Sequence, residues 1–246
     1  MLLLDIGNTN LRWALHDGAQ LGAVQIARHG NAIPLDVLAA WETLPAPTRI
    51  VVSNVGGAAV AEALGRVTQA YWQLTPEFVS TRAEYAGVRI AYAEPSRFGV
   101  DRWLALLAAH VDNPTAAPTL IVDAGTAATF DLLLTDGRHL GGLIVPGLEM
   151  MRTSLLAGTQ IPRIEVEPSG VLWADDTTAA VAAGSVQAIA ALAERLAERL
   201  AAETGATVRI LLTGGDAPRL RSALTQPFVE IEDLVLQGLV TVANFN

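Results

Sequence analysis

The stretch Leu2 to Arg12, LLLDIGNTNLR, has a second version in the same chain. Leu120 to Leu133 reads LIVDAGTAATFDLL, and a shift of 118 positions lays Asp5 on Asp123, Gly7 on Gly125 and Asn8 on Thr126. Each version is an apolar run ending in Asp, then any residue, Gly, a small polar donor, and a second apolar run. That order describes a buried strand, a tight turn and a second strand. A repeat spaced by half the chain is the mark of a duplicated architecture. The 246 residues have room for two domains of about 120 residues each, and the duplication sets them at 1–113 and 114–246.

The chemistry of the turns points to phosphate. Gly7 lets a ligand approach the backbone, and the peptide N–H groups with the Asn and Thr side chains are donors for an anion. Asp5, at the carboxyl end of the first strand, is placed for Mg2+, which takes a carboxylate or two together with phosphate oxygens. An ordinary β-hairpin with an Asn-rich turn has the same local pattern, so the second copy carries the weight. Two halves that each present an Asp–Gly turn imply a cleft between them that grips a nucleoside triphosphate from both sides. This resembles the acetate kinase, sugar kinase, heat-shock chaperone and actin superfamily, a duplicated ribonuclease-H-like α/β fold with a central cleft.

Periodicity fills in the halves. A third strand is expected over 20–27, a helix over 34–44, a strand over 49–53 and an Ala-rich helix over 57–70. Short strands and loops occupy 69–92, and a long apolar helix runs to about His110. The second half restarts with strands at 119–123, 128–135 and 139–145, with Asp136-Gly137 as a hairpin turn. A helix then follows Pro146-Gly147, and a surface loop is expected across 161–173. A helix over 175–203, a strand over 208–212 and two closing helices complete the half. Glu194, Arg195, Glu198 and Arg199 form a solvated face on the long helix. The glycine pair after the last of these strands, Gly214-Gly215, serves equally for nucleotide approach or for an ordinary strand-to-helix turn.

Composition removes several classes of chemistry. Cysteine is absent, so disulfides, thiolate zinc sites and cysteine catalysis are excluded. The chain has no Lys, which excludes a P-loop lysine, a Schiff base and an SxxK nucleophile. A formal charge of −9 and a pI near 4.9 argue against a nucleic-acid partner. Hydrophobic residues make up 51% of the chain, enough for a sizeable core. The apolar start ends at Asp5 without a basic leader, so neither signal peptide nor membrane partner is expected, and cytoplasmic location is the default. His16, His29, His110 and His139 show no metal spacing and are expected to be structural.

PSRFGVDRW, Pro95 to Trp103, concentrates further chemistry. Asp101 at the first turn of a helix is a good partner for the helix dipole. It is also placed to accept the proton of an attacking hydroxyl, while Arg102 and the Gly99 backbone hold an anionic part of the acceptor. Phosphoryl transfer needs little beyond positioned phosphates, Mg2+ and an aligned acceptor.

DIGNTN, PSRFGVDRW, VDAGTA and GGLIVPG, in this order and at these spacings, resemble the type III pantothenate kinase family, which includes the Bvg accessory factor proteins. The resemblance runs from Leu2 to about Gly238. It implies ATP-dependent phosphorylation of pantothenate to 4′-phosphopantothenate, the first step of coenzyme A biosynthesis, by a homodimer that needs Mg2+ and a monovalent cation, K+ or NH4+. It further implies that Asp5, Ile6, Gly7, Asn8, Thr9, Asn10, Leu11 and Arg12 wrap the ATP phosphates and that Thr126 touches ATP. Asp101 is the implied proton acceptor, with Tyr92, Gly99, Val100 and Arg102 lining the pantothenate site and Asp123 binding the monovalent cation. Thr177, seven positions before Gly184, matches a threonine that reaches pantothenate from the partner subunit. Arg12 stands where the family commonly has Lys, which keeps the charge with a different geometry. Two alternatives stay open: a Bvg-accessory-factor-type regulatory protein supporting transcription, and a superfamily kinase acting on another small hydroxyl acceptor.

Overall fold

A strand apolar on both faces belongs at the centre of a sheet, and β1 (Leu2–Ile6) is buried at every residue. It pairs antiparallel with β2 (Asn10–Leu15), and β2 pairs antiparallel with β3 (Gln25–Arg28). After α1 (Leu35–Glu42), β4 (Ile50–Asn54) lies parallel to β1 on its other side. After α2 (Ala58–Trp72), β5 (Glu77–Phe78) adds a parallel edge. Leu2, Leu4, Ile6, Ile50 and Val52 face α1 and α2, where Trp41 is fully buried against Trp13 and Trp72. A small hairpin, β6 (Glu84–Tyr85) with β7 (Val88–Arg89), then leads through a single 3-10 turn at Pro95–Arg97 into α3 (Val100–Val111). The computed structural model describes residues 1–162 and 170–244, so the expected loop across 161–173 falls in part, at 163–169, outside the described residues.

The second sheet repeats the first. β8 (Thr119–Ala124) is central, antiparallel to β9 (Ala127–Leu133), which is antiparallel to β10 (His139–Pro146). After α4 (Leu148–Ala157) and α5 (Thr177–Thr204), β11 (Arg209–Thr213) lies parallel to β8. After the one-turn α6 (Ala217–Leu220), β12 (Phe228–Glu230) lies parallel to β11. The orders β3-β2-β1-β4-β5 and β10-β9-β8-β11-β12 are the same topology twice, so the fold is a duplicated ribonuclease-H-like α/β fold. The duplication legible in two turns is a duplication of whole sheets.

The division of the chain differs from the expected halves. One unit is Met1–Val111 together with Asp233–Asn246, and the other is Asp112–Glu232. The last helix, α7 (Leu234–Asn244), returns to the first unit and packs on α3, β1 and β4. The reason lies in α3, which is buried around nearly its whole circumference and needs a second helix to cover it. Gly238 allows that cover, because a β-carbon there would collide with the Leu104 carbonyl. A second difference is β12, which stands where only helices were expected. It spans three residues, none of them buried, and leaves no readable alternation.

Helix α5 is long and apolar enough by composition to cross a membrane, with a hydropathy of 1.2 over its best window. Its apolar stripe is instead spent inside the second unit, where Val186, Ile189, Ala193, Ala197 and Leu200 pack on β8 and β9. Glu194 also reaches across to accept hydrogen bonds from the Thr225 hydroxyl and backbone N–H, both at 2.6 Å.

Each fifth strand is pinned by an arginine–glutamate fork. Arg49 donates to both carboxylate oxygens of Glu77 at 3.0 and 2.8 Å, and Arg221 to those of Glu230 at 2.6 and 2.7 Å. The arginine hydrogen bonds hold both carboxyls below the usual glutamate value of 4.5. A depressed folded-state pKa contributes stability that is present above the unfolded value and is lost as pH falls through the folded one. The melting temperature is therefore expected to decline progressively below pH 4.5. Glu77→Gln should remove part of that slope, and high salt should flatten it because the pairs are exposed.

Candidate active site

Asp5 and Asp123 occupy the same place in their respective sheets. Asp5 pairs in register with Arg12 on β2 and Ser53 on β4, and Asp123 with Thr129 on β9 and Thr213 on β11. Each lies one residue before the end of its central strand, beside its glycine turn. The turns differ in length. Gly7 N–H donates to Asn10 O at 2.9 Å, whereas Gly125 N–H donates to Ala127 O at 3.0 Å, so the second turn is one residue shorter.

In the first turn Asn8 is exposed and Gly7, Thr9 and Asn10 are half-buried. Ile6 and Leu11 are fully buried in the core against α1 and α2, so their part in the turn is backbone alone. Arg12 is held between two carboxylates, its Nη1 4.0 Å from Asp5 and its Nε 3.5 Å from Asp233. Asp233, at the entry to α7, was not anticipated. It is distant in sequence, and its one local signal is a positive φ of 53°, which sequence does not display.

The second constellation lies wholly in the first unit. Asp101 is at the first turn of α3, with its Oδ1 accepting the Arg102 N–H at 2.8 Å, and Gly99 O accepts the helix's opening bond from Trp103 N–H. Arg102 is buried, an unusual state for a guanidinium. It stacks over the Phe98 ring at 4.7 Å, and its Nη1 donates to the Tyr92 hydroxyl at 3.4 Å. Tyr92 and Phe98 lie 4.7 Å apart, and the Thr81 hydroxyl fixes Phe98 O at 2.9 Å. Tyr92, Gly99, Asp101 and Arg102 thus lie together around the start of α3, while Val100 is buried. Phe98 is an addition that sequence reasoning passed over; its place four residues before a basic side chain was the available signal.

In the second unit Thr126 is exposed, with its carbonyl accepting the Gly147 N–H at 3.0 Å. Asp123 is half-buried. Gly214, at a φ of +95°, brings its backbone so close that a β-carbon would collide with Asp123 Oδ1 and the Ala124 carbonyl. The glycine after β11 is therefore required by that approach rather than by chain reversal alone. Thr177 begins α5 behind an Asp176 N-cap and lines a groove of about 450 Å³ with Met151, Arg152 and Leu155 of α4. No cluster of three or more metal-ligating side chains occurs among the described residues.

A family model described as type III pantothenate kinase matches residues 1–199. The type III pantothenate kinase of Nitrosococcus oceani is 41% identical over 252 residues, covering 99% of this chain and 93% of the relative. That of Nitrosospira multiformis is 37% identical, covering 99% and 90%. Among solved structures, a conserved Baf family protein from Campylobacter jejuni, described as a transcriptional activator, aligns with a TM-score of 0.62 at 22% identity, covering 100% of this chain and 98% of that one. The activator of a 2-hydroxyisocaproyl-CoA dehydratase from Clostridium difficile, with bound ADPNP, aligns with a TM-score of 0.56 at 16% identity, covering 100% and 93%. These two share the fold. The sequence relatives share more than the fold, and the chain belongs to the type III pantothenate kinase family.

Proposed function

We propose that Asp101 accepts the proton of the pantothenate hydroxyl while the β1–β2 turn orients the phosphates of ATP. The chain is an ATP-dependent pantothenate kinase making 4′-phosphopantothenate for coenzyme A biosynthesis, and family membership along nearly its full length carries that conclusion. The Asp101 carboxylate, oriented by its bond to the Arg102 N–H, aligns the hydroxyl and takes its proton as the phosphoryl group transfers. Arg102, desolvated and stacked on Phe98, is suited to a fixed charge-assisted bond with the pantothenate carboxylate.

The family uses ATP with a divalent metal, and Mg2+ fits the donor set. One buried carboxylate, Asp5, suits an ion that takes most of its ligands from phosphate and water. Such an ion neutralises charge on the phosphates. Asp123, whose Oδ1 lies close against Gly214 beside the Ala124 carbonyl, would hold K+ or NH4+. Homodimerisation is supported by Leu143, Ile144, Met150 and Leu155, which expose apolar surface along β10 and α4 beside the groove that holds Thr177. In that arrangement Thr177 reaches the partner's pantothenate, and the protein works in the cytoplasm, where ATP is available.

The test is phosphorylation of pantothenate by the purified protein with MgATP, with and without K+. Cation-dependent 4′-phosphopantothenate is the expected product. ATP turnover that leaves pantothenate unmodified would overturn the assignment of the acceptor.

A further inference from the structure

His29 follows β3 directly and holds the first turn at two points. Its backbone N–H donates to Thr9 O at 3.1 Å, and its imidazole Nε2 lies 2.8 Å from Gly7 O. The residue is buried, and the Asn31 N–H approaches Nδ1 at 3.4 Å. Nδ1 is therefore the acceptor, and Nε2 carries the proton donated to Gly7 O. In a trans peptide the carbonyl and the following N–H point to opposite sides, and the described chain has no cis bond. Drawing the Gly7 carbonyl toward His29 turns the Asn8 N–H the other way, to the exposed side of the turn.

The second unit supplies an internal comparison. Gly147 follows β10 as His29 follows β3, and its N–H donates to Thr126 O as that of His29 donates to Thr9 O. A β-carbon at Gly147 would collide with the Gly125 carbonyl and come within 2.7 Å of the Thr126 carbonyl, so that position accepts no side chain. The shared framework has the backbone bond in both units and the imidazole only in the first, whose turn is one residue longer. We infer that His29 is a positioning residue for phosphate binding, fixing the Gly7–Asn8 peptide so that the Asn8 N–H faces the ATP phosphates. The inference rests on the reading of this turn as the phosphate site.

The test is calorimetric titration of MgATP and, separately, pantothenate into the wild-type protein and into His29→Ala, His29→Gln and Asp5→Asn. His29→Ala should weaken MgATP about tenfold, the worth of one lost hydrogen bond, and leave pantothenate binding unchanged. His29→Gln, whose amide N–H reaches the same carbonyl, should recover most of the loss. Wild-type MgATP binding by His29→Ala alongside weakened binding by Asp5→Asn overturns the inference and leaves the phosphate reading standing. Wild-type binding by both variants overturns the two together. Equal weakening of both ligands without rescue by His29→Gln makes His29 merely structural and also overturns it. Should His29→Ala fail to fold, His29→Gln is compared with the shorter His29→Asn: tighter MgATP binding by Gln supports the inference, and equal binding overturns it.

Discussion

Asp101→Asn is expected to lower kcat by about 10²–10⁴, the range for loss of a general base, with ATP affinity and melting temperature close to wild type. The separation follows from the local geometry. Asp101 Oδ1 accepts the Arg102 N–H at 2.8 Å, and an amide oxygen in the same place accepts it equally well, so the start of α3 is retained. What the amide lacks is basicity. Loss through kcat with little change in KM for ATP is the signature to measure, by steady-state kinetics with each substrate varied in turn. Near-normal turnover would remove Asp101 from its proposed role.

His139→Ala is expected to destabilise the protein by about 3–5 kcal/mol, the usual cost of breaking a buried pair from one side. His139 on β10 and Asp131 on β9 are each 2% exposed, and Nε2 lies 3.0 Å from Oδ1. They are diagonal neighbours across the antiparallel pair, next to the register irregularity between His139 and Gly141. Truncating the imidazole takes a donor at 3.0 Å away from a carboxylate that is shut off from water. Adding Asp131→Asn removes the charge, so the double variant should be more stable than His139→Ala alone. Denaturant unfolding of the set measures the coupling directly. Additive effects would show that the contact contributes nothing of its own.

The parts of the fold that were legible are those written in local pattern. The unbroken apolar runs of β1 and β8, each closing on Asp-x-Gly, declared central strands and turns, and the ends of β4, β8, β9, β10 and β11 were read to within two residues, whereas β3 begins at Gln25 rather than near residue 20. The parallel edges were the hard ones: β12 was missed and β5 was expected only as unplaced short strands within 69–92, because both are too short and exposed for alternation to register. The return of α7 was hidden for another reason: its partner surface on α3 exists only after folding. The same distinction runs through the site. Asp101 and Arg102 are adjacent in sequence, and so are the members of the glycine turns. Asp233 beside Arg12, and His29 beneath Gly7, depend on chain crossings that carry no local mark. Ile6 and Leu11 belong to the motif by spelling and to the core by side chain.

The returning helix also orders events in time. A ribosome delivers Asp112–Glu232 as an uninterrupted segment, so the second unit has its whole core before α7 is made. The first unit, begun earliest, is synthesised in two instalments and must join α7 to α3 and β1 across the length of the chain, the costliest kind of contact to close. The unit made first is therefore completed last. Until α7 emerges, the α3 surface around Leu104 is bare, and the nascent chain is at that stage most open to aggregation or capture by a chaperone.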